Sequence, residues 1–275
     1  MSVKGKIIGG ILGSMVGGPF GAVLGVAIGH TFDKDKDKNN EDGYQYREAS
    51  VRPGHDFSLG QAQMTFFVAT FSMLGKMANA DGQISATERN TVIQFMSNDL
   101  RLSKQDQDFA LRIFDTAAIS SESFDKFAAQ FYQSFYGDPQ MIEMMMDILV
   151  RVAMSDGVLS DKENQFIAQA AMCMQYPAGN VDYLKTKYGY RQNQNNSGYS
   201  SESSSGSLAA AYSVLGCSAT DSDDEIKARY KKLIKEYHPD VIASKGLPEE
   251  FMKFATEKFD QIQKAYDTIK KVRNL

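Results

Sequence analysis

Few residues in this chain are placed to do chemistry. His238-Pro239-Asp240 sets an imidazole and a carboxylate on either side of a proline, directly after a helix-like run carrying Lys227, Arg229, Lys231, Lys232 and Lys235. The imidazole looks like a general base only in isolation. No nucleophile or substrate pocket can be identified around it, so the chain itself is expected to catalyse no covalent reaction. The five cations form either a solvated helix face or a contact surface. A second set is Asp81 with Glu88 and Asp156 with Glu163. Hard divalent cations need several such oxygens, yet each residue also has a folding explanation. Asp-Gly suits a tight turn, and a Glu three residues after a Ser closes a capping box. The cluster Met141, Met144, Met145 and Met146 has the spacing of a helix core rather than of a thioether site.

The elements that position these groups are helical. The chain has 275 residues, 43% of them apolar, enough for one or two domains with cores of their own. A net charge of −4 gives no overall bias toward nucleic acid. Two cysteines, Cys173 and Cys217, without a C-x-x-C pair, argue against a disulfide framework or thiolate zinc site and fit a reducing compartment. Three scattered histidines, His30, His55 and His238, make no His-rich metal site. The expected class is all-α.

Residues 1–32 read as a membrane anchor. Positions 7 to 32 hold no Asp, Glu, Lys or Arg, and this length of helix spans roughly 39 Å against a hydrocarbon core near 30 Å. A secretory signal has a shorter apolar region and a small-x-small cleavage site. Glycine recurs at every fourth position from Gly5 to Gly29. Such a row leaves a groove where another helix can approach, so the Gly-x-x-x-Gly anchor is expected to self-associate. Pro19 is a kink point. Lys4 and Lys6 precede the span, whereas Lys34, Lys36, Lys38 and Arg47 follow it. The positive-inside rule then places the C-terminal side in the cytoplasm, as a single-pass protein.

Residues 33–60 are a polar linker, and helical periodicity runs through 61–188, with six or seven helices and no convincing strand. Ser85 with Glu88 and Ser160 with Glu163 are capping boxes, Ser103 and Ser123 are plausible caps, and Asp138-Pro139 is an N-cap with an N1 proline. An internal repeat is present: Ala80-Asp81-Gly82-Gln83-Ile84-Ser85 matches Ser155-Asp156-Gly157-Val158-Leu159-Ser160, each followed by its Glu. Residues 189–207 form a Gly/Ser/Asn-rich linker expected to let the flanking modules move independently. In 208–275, a short helix stops at Gly216, and a Ser222–Glu225 box opens a basic amphipathic helix. His238-Pro239-Asp240 and a loop to Pro248 follow, then a long helix containing Lys258-Phe259-x-x-Ile262-x-x-Ala265-Tyr266.

The pattern of 61–188 resembles the TerB-like domain, which implies a metal site at Asp81, Glu88, Asp156 and Glu163, with a divalent cation as the candidate cofactor. The 208–275 module resembles the J domain of DnaJ proteins, from which it departs by Val241 in place of the common Lys and by its Lys245-Gly246-Leu247-Pro248 loop. The Gly/Phe-rich region and Cys-rich zinc repeats of full DnaJ proteins are absent. With its anchor, the whole order resembles the DjlA-type membrane-anchored DnaJ-like co-chaperones. That resemblance implies an inner-membrane protein with cytosolic domains that stimulates ATP hydrolysis by a DnaK-type Hsp70. His238, Pro239 and Asp240 would dock on Hsp70, with Asp240 pairing to an arginine, and Lys227, Arg229, Lys231, Lys232 and Lys235 would meet an acidic face. The alternative is a membrane stress-response scaffold whose TerB-like domain senses an ion or recruits partners.

Overall fold

A serine followed three residues later by a glutamate opens three helices, and in each the two residues cap one another. The Ser85 hydroxyl accepts from the Glu88 amide at 3.1 Å, and the Glu88 carboxylate accepts from the Ser85 amide at 2.8 Å. Ser160 with Glu163 and Ser222 with Glu225 close in the same way. Each box satisfies two amides that no helical carbonyl can reach. The computed structural model describes residues 17–34, 56–189 and 205–273. Among these residues every regular element is a helix, in agreement with the all-α expectation.

The N-terminal helix α1 spans Gly18–Lys34. The middle domain contains α2 (Asp56–Ala78), α3 (Ala86–Gln94), α4 (Lys104–Ile119), α5 (Phe124–Ser134), α6 (Pro139–Ala153), α7 (Asp161–Cys173) and α8 (Ala178–Lys187). A π-helical turn, Phe95–Asp99, continues α3. Helices α2 and α6 form the centre: Phe66, Phe71 and Met73 on one and Met141, Met145 and Leu149 on the other are fully buried. The methionines are therefore core, as their spacing predicts. Helix α2 lies so close to α4 that a Cβ on Gly75 would strike the Phe114 carbonyl oxygen. Glycine is a packing requirement at that crossing.

The internal repeat is structural as well as textual. Gly82 and Gly157 both turn with positive φ, +89° and +80°, a region that glycine enters without steric cost. Asp81 accepts from the Gln83 amide at 3.4 Å and Asp156 from the Val158 amide at 2.9 Å. Each copy is a long buried helix, a turn and a capped helix.

The C-terminal module contains α9 (Ser205–Leu215), α10 (Asp223–Glu236), α11 (Pro239–Ser244) and α12 (Met252–Arg273), the last preceded by a 3₁₀ turn, Glu249–Phe251. Helices α9, α10 and α11 pack on α12, burying Leu215, Ile226, Ile242, Ile262 and Ile269. The stop after α9 is Gly216, with φ +62°, and the Cys217 amide reaches back to the Tyr212 carbonyl at 2.9 Å. The sequence predicts a loop from Asp240 to Pro248. Its first half is helix α11, because His238 caps it and Pro239 occupies the first turn, where a missing N–H costs nothing.

The anchor differs from its expectation. A continuous helix over 7–32 is expected; residues 1–16 lie outside the described residues, and α1 starts at Gly18. Gly17 and Gly18 have φ +57° and +54°, which breaks a right-handed helix, and Pro19 falls in the first turn rather than at a mid-helix kink. Among the described residues no helix is long and apolar enough to cross a membrane. One face of α1, with Phe20, Val23, Leu24 and Ala27, is buried against α2, α4 and α5. The Phe20 ring lies 5.5 Å from Phe127. The Gln130 side chain donates to the Gly17 carbonyl at 2.9 Å and accepts from the Phe20 amide at 3.0 Å.

Candidate functional site

The sequence that carries the site folds for local reasons. Ser222 and Glu225 start α10, whose apolar side buries Ile226 and half-buries Tyr230 and Leu233 against α12. Tyr230 stacks on Tyr266 with ring centres 4.0 Å apart. Tyr237 ends the helix and is buried. The chain then turns, and His238 caps α11: its Nδ1 accepts from the Asp240 amide at 3.3 Å. The His238 ring meets Phe259 edge-on at 5.7 Å. These contacts fix the tripeptide from both sides, from beneath by α12 and internally by the cap.

What the tripeptide presents is a carboxylate. The Asp240 side chain is 92% exposed and that of His238 47%, with 3.7 Å between Nδ1 and the carboxylate. Lys231, Lys232 and Lys235 of α10 are exposed, and Lys227 is half-buried. Lys232 reaches Glu236 at 3.7 Å. Arg229 is exposed as well, and its Nε donates to the Leu215 carbonyl at 3.2 Å. It closes the C-terminus of α9, where unpaired carbonyls attract a cation.

The carboxylates suggested for a metal are occupied in folding. Glu88 and Glu163 hold their capping boxes, and Asp81 and Asp156 hold their turns. Among the described residues, no group of three or more His, Cys, Asp or Glu stands close enough to hold a metal ion. The structure therefore does not gather these four residues into an ion site. Cys173 and Cys217 are free, and burial pushes both thiols up from their ordinary pKa, which keeps them protonated and weakly nucleophilic.

The sequence reading missed a second face of the module. The C-terminal module does not stand apart; it is docked on the middle domain. Lys258 pairs with Glu143 at 2.5 Å, and the Tyr237 hydroxyl donates to the same carboxylate. Lys245 reaches Asp138 at 2.5 Å and Gln140 at 2.8 Å. Arg151 bridges Asp99 and Glu257, and Lys253 reaches Asp99 at 2.9 Å. Phe251 sits 5.2 Å from Phe66 and 6.3 Å from Phe67, and Phe254 lies 6.1 Å from Phe95. The sequence signals were the unusual Lys245–Pro248 loop and the aromatics Phe251 and Phe254 just beyond it. A cleft of about 490 Å³ beside this junction is lined by Tyr132, Tyr136, Tyr176 and Pro177. It shares Asp138 and Glu143 with the docking contact.

A basic helix, an outward HPD carboxylate at its end, and a Lys258-Phe259-x-x-Ile262-x-x-Ala265-Tyr266 helix packed beneath define a J-domain protein. Comparison with known proteins divides the chain in the same way. The family described as DnaJ domain matches residues 210–274, that described as tellurite resistance protein TerB matches 67–185, and that described as co-chaperone DjlA transmembrane domain matches 1–50. Proteins named co-chaperone protein DjlA match over most of their length. That of Vibrio cholerae is 32% identical over 289 aligned residues, covering 100% of both chains. That of Coxiella burnetii is 32% identical over 78% of this chain and 79% of its own, and that of Shewanella oneidensis is 31% identical over 82% and 87%. No solved structure gives a significant match. The chain belongs to the co-chaperone DjlA family and is a membrane-anchored J-domain co-chaperone of Hsp70.

Proposed function

We propose that His238, Pro239 and Asp240 dock on a DnaK-type Hsp70 and trigger ATP hydrolysis in the Hsp70's own site. The observation that carries this reading is the outward carboxylate of Asp240, held by the His238 cap next to the exposed lysines of α10. Paired with a guanidinium, such a carboxylate contributes about 1.5–3 kcal/mol. Lys227, Lys231, Lys232 and Lys235 speed encounter with an acidic face and fix its register. Single-turnover ATPase assays with the full chain in detergent test the reading. His238→Gln and Asp240→Asn are expected to abolish stimulation while the helical circular dichroism stays unchanged. Undiminished stimulation by both variants would overturn the role of the tripeptide.

In this reading the anchor crosses the inner membrane once, α1 leaving its place on α2, α4 and α5 to do so, with everything beyond the anchor in the cytoplasm. The cation excess after the span, Lys34, Lys36, Lys38 and Arg47 against Lys4 and Lys6, supports that sidedness. In a chain carrying Cys173→Ser and Cys217→Ser, labelling of a single cysteine placed at residue 3 or at residue 200 from either side of the membrane tests it. The anchor also pairs with a second copy. Glycine at every fourth position from Gly5 to Gly29 leaves a groove for a crossing helix once the anchor lies in the bilayer. Gly25→Leu is expected to keep membrane retention and lower crosslinked dimer; equal dimer yield would overturn the pairing.

A further inference from the structure

We infer that the J domain has a second working face, docked on this chain's own middle domain, and that Hsp70 is stimulated while that face is docked. The inference rests on the Hsp70 reading above. Its first support is where the pins fall. Tyr237 immediately precedes the HPD tripeptide and Lys245 immediately follows α11. Both are held at the start of α6, by Glu143 in one case and by Asp138 and Gln140 in the other. The segment that touches Hsp70 is thus clamped at both ends by the middle domain.

The second support is the composition of the contact. Phe251 and Phe254 are fully buried, with Phe66, Phe67 and Phe95 as neighbours. Around them stand the pairs Lys258–Glu143, Arg151–Glu257 and Lys253–Asp99. The side chains of Lys258 and Glu143 are only 12% and 14% exposed. An apolar centre with charged pairs at its edge is the anatomy of a specific interface. Asp99 enters it from the π-helical turn after α3, an irregularity that re-aims a helix end. Fit is close at the loop: Gly246 has φ +94°, and a Cβ there would run into the Ala62 side chain. The 15 residues between 190 and 204 tether the two parts, which places the module at a local concentration on the order of millimolar.

The third support is direction. The docked face uses Tyr237, the 245–248 loop and the first turns of α12, whereas Asp240, Lys231, Lys232 and Lys235 stay exposed. Docking and Hsp70 engagement therefore use different sides of the module. The recruited Hsp70 then arrives in a fixed orientation relative to the middle domain instead of on a free tether.

A locked protein tests this. In the full chain carrying Cys173→Ser and Cys217→Ser, Asp138→Cys and Lys245→Cys are joined with a short bismaleimide. Efficient crosslinking is expected, with single-turnover stimulation within twofold of the unjoined protein. Failure to crosslink would show that the module is not docked in solution. A tenfold or greater loss on locking would show that the contact is a shutter, not a working state; either result overturns the inference. The unjoined protein and its His238→Gln variant report separately on the Hsp70 reading. A second measurement uses Asp99→Lys with Asp138→Lys, which sets cations against Lys253 and Lys245. Amide exchange over residues 246–258 is expected to quicken with unchanged helicity, and unchanged exchange would also overturn the inference.

Discussion

Residue types in this protein recur in two roles, and local geometry separates them. Glu88, Glu163 and Glu225 are capping residues; Glu143 is a partner for a buried cation. Replacing Ser85 or Ser160 by Ala is expected to cost about 1 kcal/mol each in thermal or urea unfolding, as for other N-caps. Adding Mg²⁺ or Ca²⁺ is expected to leave the melting temperature of the wild-type chain unchanged, because its turn and cap carboxylates already accept backbone amides. A cation-dependent rise, removed by Asp81→Asn with Asp156→Asn, would show an ion site instead. Arg229 and Lys231 are neighbours on one helix with different tasks. Arg229→Ala is expected to lower the melting temperature of the J domain by uncapping α9, whereas Lys231→Glu with Lys232→Glu lowers Hsp70 affinity and its salt sensitivity without that shift.

At the scale of elements, two glycines set how closely helices and loops approach. Gly75 allows α2 to touch the α4 backbone, so Gly75→Ala is expected to destabilise by about 1–3 kcal/mol, since backbone cannot move aside as a side chain can. Gly246 is constrained twice, by its positive φ and by Ala62. Gly246→Ala is expected to loosen docking, seen as faster exchange over 246–258. Adding Ala62→Gly restores only the part due to the clash and leaves the backbone strain. The capping boxes, the Asp-Gly turns and the glycine stop after α9 were all legible in the sequence, because each depends on residues within five positions of one another. The π-helical turn at Phe95–Asp99 was not, because its purpose is met on α6 and α12, at Arg151 and Lys253.

For the whole molecule, the docked arrangement carries a pH dependence. Burial works against the charge on Lys258, but the Glu143 carboxylate, joined by Tyr183 and Asp147, outweighs it and holds the lysine pKa above its ordinary value. Burial, then Glu143, pushes the Tyr237 phenol well above its own. Both groups bind their protons more tightly when docked than when free. Their contribution is full below the free values near pH 10 and falls as pH rises through the docked values. Small-angle scattering is expected to show expansion above about pH 10, with helical circular dichroism retained at the onset. A Glu143→Gln variant is expected to expand at lower pH than the wild type, and identical pH profiles would argue that the Glu143 cluster contributes little to docking.

The sequence by itself determined the helical class, the domain order, the repeat and the HPD module, because periodicity, caps and turns act over a few residues. His238, Asp240 and the lysines of α10 could be assigned to one surface because they are consecutive along a single helix and its end. Only the tertiary structure decided that α1 lays Phe20 and Leu24 on the middle domain, that Arg229 serves α9, and that the J domain docks through Phe251 and Lys258. Each of these joins residues far apart in the chain. A partner for a buried carboxylate or an aromatic ring is chosen by shape and desolvation at a contact that no local spacing encodes.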